Sequence, residues 1–225
     1  GQHQDRQAFG FLARAQTASA APVGAARAER VRRIDSFLES YVTESRVAGV
    51  VALVLREGRT VYSKALGWRD KEAAAPVRTD TIFRIASQSK ALTSASIMML
   101  VEEGKIALSD PVSRFIPGFA KSTVMERADA PPVPAKRQIQ IKDLLTHTSG
   151  LSYGTETRVA ALYEAQGLGP AAGNGWYTAD KSEPICTSME RLAALPLVSH
   201  PGDAYVYGYS IDVLGCVVER ASGIA

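Results

Sequence analysis

The sequence predicts a mixed α/β (α+β) protein, in which one apolar β-hairpin precedes a mostly helical chain with long loops. Three observations carry this reading. Val50 to Arg56 run V-V-A-L-V-L-R and Thr60 to Trp68 continue strand-like, with Glu57-Gly58-Arg59 as the turn between them. Beyond Asp80, apolar residues recur at helical spacing and glycines punctuate the ends of the runs. The 225 residues suffice for one sizeable core, and 46% apolar with 22% charged residues is the composition of a soluble globular protein.

Residues 1–28 read as an N-terminal tail: polar to Gly10, then Ala-rich without a sustained hydrophobic period. Ala18-Ser19-Ala20 has the small-residue pattern of a signal cleavage site, but the segment before it lacks an apolar core, so a cytoplasmic location is expected, with a periplasmic or secreted one as the alternative. Residues 29–80 form the next unit, a helix and the hairpin. Val31, Ile34, Leu38, Tyr41 and Val42 share one helix face, and the arginines among Glu29, Asp35 and Glu39 read as a solvated face. The first hairpin strand is apolar on both faces and is expected in a sheet interior. Residues 81–225 form a mostly helical unit. Helices are expected over Ser87–Glu103, Ile141–Thr146, Glu156–Gln166 and Ser210–Ala221. The capping pattern Thr187-Ser188-Met189-Glu190 predicts another, reaching Leu195.

Charge and composition exclude several functions. A net charge of +3 gives no electrostatic case for nucleic acid or an anionic membrane. No apolar run reaches the roughly 18 residues that a span needs. Two cysteines, Cys186 and Cys216, build neither a disulfide scaffold nor a four-cysteine metal site, and the three histidines are scattered. No metal or cofactor is expected. Gly167-Leu168-Gly169 with Gly173 is followed by Pro170 and preceded by no strand, so it is a loop and not a phosphate cradle. There is no G-x-S-x-G elbow.

One segment carries chemistry. Phe83-Arg84-Ile85-Ala86-Ser87-Gln88-Ser89-Lys90 opens a helix that stays apolar through Leu92, Ile97, Met98, Met99, Leu100 and Val101. Positions three apart share a helix face, so Ser87 and Lys90 point to one spot. The apolar run predicts burial of the helix. Desolvation and the helix N-terminus would then lower the lysine pKa, which must fall by about 3 for it to act as a base near neutrality, and burial can supply that much. A serine hydroxyl needs such a base to become a nucleophile. Ser-x-x-Lys alone is nonetheless a common tetrapeptide on surface helices.

Its context narrows the reading. Phe83 to Gly104, then Leu108-Ser109-Asp110-Pro111-Val112 and Pro117-Gly118-Phe119, resembles the serine β-lactamase and penicillin-binding-protein superfamily. Ile141-Lys142-Asp143-Leu144-Leu145-Thr146-His147-Thr148-Ser149-Gly150-Leu151 is similar to a signature of its class C-like branch. Pro201 to Ser210 with Asp212-Val213-Leu214-Gly215 completes the match. The resemblance implies a β-lactamase-like fold, an antiparallel sheet domain flanked by helices plus a mostly helical domain. It implies Ser87 as nucleophile, Lys90 as its partner base and Tyr207 as the residue exchanging the proton with the leaving group. Under it, His147 reads as structural, tying down a helix end.

Two departures matter. Where β-lactamases carry asparagine in their Y-x-N element, this chain has Tyr209, and the segment looks more like family VIII carboxylesterases. Bulk at Tyr209 would narrow the pocket, consistent with a small acyl group, and Gln88 beside the serine is a second candidate pocket residue. The superfamily's downstream K-T-G or W/H-x-G strand has no counterpart after Tyr207. The expectation is therefore a chain lacking the C-terminal part of the sheet domain, inactive and poorly soluble alone, with that portion as its partner. The implied function is a serine carboxylesterase acting on short acyl esters. A β-lactamase or D-alanyl-D-alanine peptidase, and a non-catalytic acyl-binding or sensor domain, are the alternatives.

Overall fold

The structure is a computed structural model that describes residues 25–170, 178 and 181–224. The tail up to residue 24 and Gly173 lie outside the described residues. The chain divides into two units, Gly1–Arg84 and Ile85–Ala225.

In the first unit, helix α1 (Ala25–Thr43) packs on an antiparallel hairpin of β1 (Gly49–Arg56) and β2 (Arg59–Asp70). The turn places Glu57 and Gly58 at φ 51° and 72°, the left-handed pair that a type I′ hairpin turn uses. Strand β3 (Ala75–Pro76) adds to β2, giving the order β1-β2-β3. Tyr62 from β2 is buried and donates its hydroxyl to Asp35 of α1 at 2.7 Å, while Lys64 pairs with the same carboxylate at 3.0 Å. The described residues do not supply the sheet neighbour that the interior position expected for the first strand requires. Among the described residues β1 is a sheet edge, and Leu53, Val54 and Leu55 are exposed. Apolar character on both faces marks a strand that needs cover; it does not say what supplies it.

In the second unit, a 3₁₀ turn (Ala86–Gln88) leads into α2 (Ser89–Glu102). Two short 3₁₀ turns (Val112–Arg114, Pro117–Lys121) and the small ladder β4 (Thr123–Val124) with β5 (Val133–Pro134) follow. The remaining helices are α3 (Ile141–Leu145), α4 (Ala160–Ala165), α5 (Ile185–Leu192) and α6 (Ser210–Ser222). Helix α6 is the hub, packed against α2, α3 and α5. Val213, Leu214 and Val217 meet Ile97, Leu144 and Met189 in one core. Gly223 ends α6 at φ 73°, the left-handed cap that its position after the last apolar residue predicts.

Two expectations are corrected. Helix α2 is not buried throughout: Ile97 and Leu100 are, but Leu92 is 65% and Met99 61% exposed. An apolar run names a helix without naming its neighbours. Helix α5 starts at Ile185 directly after Pro184 and ends at Leu192, so Thr187 lies inside its first turn and is not its cap, while the neighbouring Ser188 hydroxyl donates to Glu183 at 2.5 Å. The pairing of the two cysteines, which the sequence leaves open, is decided by the fold: Cys186 of α5 and Cys216 of α6 form a disulfide. Among the described residues, no helix is long and apolar enough to cross a membrane.

Candidate active site

The backbone enters α2 through Ala86, whose φ of 44° lies in the left-handed region that an alanine rarely adopts. Such a conformation costs on the order of 1–3 kcal/mol and persists only where the surroundings enforce it. Its consequence is that Ser87 stands exposed on the 3₁₀ turn, one turn ahead of Lys90. The Lys90 ammonium donates to the Ser87 hydroxyl at 3.4 Å.

Tyr207 arrives from the loop before α6. That loop lies along the segment following α3: the Val206 N–H donates to the His147 carbonyl at 2.7 Å, and Gly202 N–H to Thr148 at 2.8 Å. Glycine at 208 is required, since a Cβ there would sit 2.3 Å from the Leu151 carbonyl oxygen. The buried hydroxyls of Ser149 and Ser210 join the two segments at 2.9 Å. So held, the Tyr207 hydroxyl lies 2.8 Å from that of Ser87, and the Lys90 ammonium sits 4.8 Å from the centre of its ring.

The electrostatics differ from the sequence expectation. Lys90 is not lowered. Burial pushes it down, but hydrogen bonding to Tyr207 and interaction with Tyr153 outweigh that, and its pKa is raised above the ordinary lysine value. The same contacts act oppositely on Tyr207, whose phenol is lowered by the hydrogen bond from Lys90 and then by that from Ser87. The pair therefore favours an ammonium beside a phenol that ionises early. The expectation of a desolvated neutral lysine assumed a buried helix, and this end of α2 is open.

Ser87, Lys90 and Tyr207 thus converge. Gln88 is exposed beside Ser87 at the start of α2. Tyr209, expected to bulk out the pocket, is fully buried, and its hydroxyl donates to the Leu168 carbonyl at 2.5 Å. It anchors the start of α6 to the loop after α4.

Two further residues join the cluster. Tyr153 presents its ring at 5.8 Å to that of Tyr207 and at 4.8 Å to that of Tyr209, and it interacts with Lys90. Asp212, in the first turn of α6, accepts from Thr178 at 2.5 Å; burial raises its pKa and the Lys90 charge opposes that. It is an acidic neighbour of Lys90 that no sequence window around the lysine contains. The signals were faint: Tyr153 lies two residues past Leu151, and Asp212 reads as an ordinary first-turn acid. Among the described residues, no group of three His, Cys, Asp or Glu side chains is placed to hold a metal ion.

Comparison with known proteins identifies the family. The profile of the Beta-lactamase family matches residues 34–225. Protein Rv1367c of Mycobacterium tuberculosis is 40% identical over 181 residues, covering 77% of this chain and 41% of that protein. Esterase EstB of Burkholderia gladioli is 36% identical over 191 residues, covering 85% and 45%. Among solved structures, EstCE1, described as a hydrolase with promiscuous acyltransferase activity, superposes with a TM-score of 0.69 at 32% identity, covering 87% of this chain and 47% of that one. The chain spans somewhat less than half the length of these relatives. A serine-lysine-tyrosine cluster on this helical scaffold, matched by a family profile over nearly all the described chain, places it in the esterase-related branch of the β-lactamase-like superfamily: the chain belongs to the Beta-lactamase family.

Proposed function

We propose that the protein is a serine hydrolase that cleaves short-chain carboxylic esters through an acyl-enzyme on Ser87. The observation that carries this is the 2.8 Å approach of the Ser87 and Tyr207 hydroxyls beside the Lys90 ammonium. Ionised Tyr207, held by Lys90, takes the serine proton as the Ser87 oxygen bonds to the ester carbonyl carbon. The Ser87 backbone N–H is one donor to the resulting oxyanion. Tyr207 returns the proton to the departing alkoxide as the carbon–oxygen bond breaks. Water then adds to the acyl-enzyme, gives its proton to Tyr207 and releases the acid, and Ser87 recovers its proton.

The likeness to Esterase EstB supports esters over β-lactams, as does tyrosine in place of the Y-x-N asparagine. EstCE1 favours a second reading in which an alcohol replaces water as acyl acceptor. The other oxyanion donor, and the cover for the exposed face of α2, we assign to a further portion of the same protein, since its relatives are about twice as long. The Cys186–Cys216 disulfide supports an oxidising compartment over the cytoplasm.

The test is p-nitrophenyl butyrate hydrolysis by the protein at its full natural length, with Ser87→Ala as control. Turnover in the parent and its loss in a folded Ser87→Ala variant are expected. Undiminished turnover in the variant removes Ser87 from the reaction. Nitrocefin cleavage matching ester cleavage restores the β-lactamase alternative. Fluorophosphonate labelling of Ser87 without any turnover identifies a sensor.

A further inference from the structure

We infer that His147 is a positioning residue, whose imidazole face holds the Tyr207 ring in register with Ser87. Three observations carry this. His147 follows α3 at φ 54°, a left-handed position at a helix end where glycine or asparagine is the favoured residue. The residue is buried, with 8% exposure, yet among the described residues its Nδ1 has no hydrogen-bond partner. Its ring lies 4.8 Å from that of Tyr207, tilted 33°, and 5.8 Å from that of Tyr205.

A histidine that strains its backbone and leaves a buried nitrogen unmatched costs stability on both counts. Neither cost serves the end of α3, which asparagine would close with less strain. What the residue does supply is a flat surface against Tyr207, at the point where its own carbonyl accepts the Val206 N–H. Main chain and side chain together fix the direction in which Tyr207 leaves the loop. Burial, reinforced by the Lys90 charge, lowers the imidazole pKa below the ordinary histidine value, so the ring covers Tyr207 without adding a second cation beside Lys90. This role differs from the tying of a helix end that the sequence suggests. It rests on the proposed hydrolase reading only for its kinetic consequence.

The experiment compares His147→Asn and His147→Phe in the protein at its full natural length. Asparagine suits the backbone and removes the ring; phenylalanine keeps a ring without the nitrogens. Each variant is assayed for melting temperature, p-nitrophenyl butyrate kinetics and the Tyr207 ionisation, read from ¹³C-tyrosine NMR. His147→Asn is expected to melt no lower than the parent and to lose about ten- to a hundredfold in kcat with KM nearly unchanged, as misplacement of a reacting group does. Its Tyr207 ionisation should move toward that of free tyrosine, and His147→Phe should recover most of the loss. Unchanged Tyr207 ionisation in His147→Asn overturns the inference, as does a His147→Phe variant no better than His147→Asn. If the parent hydrolyses no ester, the hydrolase reading falls while the NMR shift alone still decides this one. Should His147→Asn fail to fold, His147→Gly, equally free of backbone strain, takes its place.

Discussion

The hydroxyl oxygens of Ser87 and Tyr207 lie 2.8 Å apart although 120 residues separate them along the chain. Ser87 is carried by a strained turn into α2 and Tyr207 by a loop pinned to the segment after α3. Removing the Tyr207 hydroxyl should therefore leave the scaffold intact and stop the proton transfer. Tyr207→Phe is expected to reduce kcat by roughly 10²–10⁴-fold, the range for losing a positioned acid–base group. Steady-state ester hydrolysis checks it; near-parental kcat takes Tyr207 out of the mechanism.

The opposed shifts of Lys90 and Tyr207 predict a pH profile. Tyr207 is lowered from about 10 and Lys90 raised from about 10.5, so the phenolate–ammonium form exists between the two ionisations. The proposed ester kcat/KM should rise as pH increases through the Tyr207 ionisation, and fall only above that of Lys90. Lys90→Gln removes the charge that lowers the phenol, so its rising limb should move to higher pH. A limb that stays put in Lys90→Gln shows that some other group is titrating.

Tyr209 should affect stability and not substrate binding. Its hydroxyl is the buried partner of the Leu168 carbonyl. Tyr209→Phe leaves that acceptor unmatched and is expected to cost about 1–3 kcal/mol. Chemical denaturation measures the loss, and KM for p-nitrophenyl esters should remain at the parental value. A raised KM at unchanged stability would return Tyr209 to the pocket.

The disulfide ties α5 to α6, and α6 follows directly from the loop that carries Tyr207. The bridge spans 30 positions in sequence, and a loop of that size is worth roughly 3.6 kcal/mol to the folded state. Cys186→Ser with Cys216→Ser should lower the denaturation free energy by about that amount. Cys186 and Cys216 should resist iodoacetamide until a reductant is added. Alkylation of both in the unreduced, folded protein would show the bridge absent.

Much of this protein is written in short windows of sequence. The hairpin at Val50–Trp68, the start of α2 at the Ser87-Gln88-Ser89-Lys90 turn and the glycine-closed end of α6 all follow from patterns within a few residues, because strand alternation, helical periodicity and caps are local. The pairing of Ser87 with Lys90 was legible for the same reason, since three residues make one helical turn.

What tertiary structure alone decided is everything that depends on which surfaces meet. It set the direction of the Lys90 shift, because that depends on Tyr207 and Tyr153 and on an open helix end, none of which lies within a turn of the lysine. It buried Tyr209 and brought Asp212 and His147 to the cluster, although neither residue type is unusual where it occurs in the sequence. It joined Cys186 to Cys216 by laying α5 along α6. Residue types and their spacing determined what chemistry the chain carries. Long-range packing decided how that chemistry is poised, because a group's pKa and orientation are set by neighbours and solvent in space and not by neighbours in sequence.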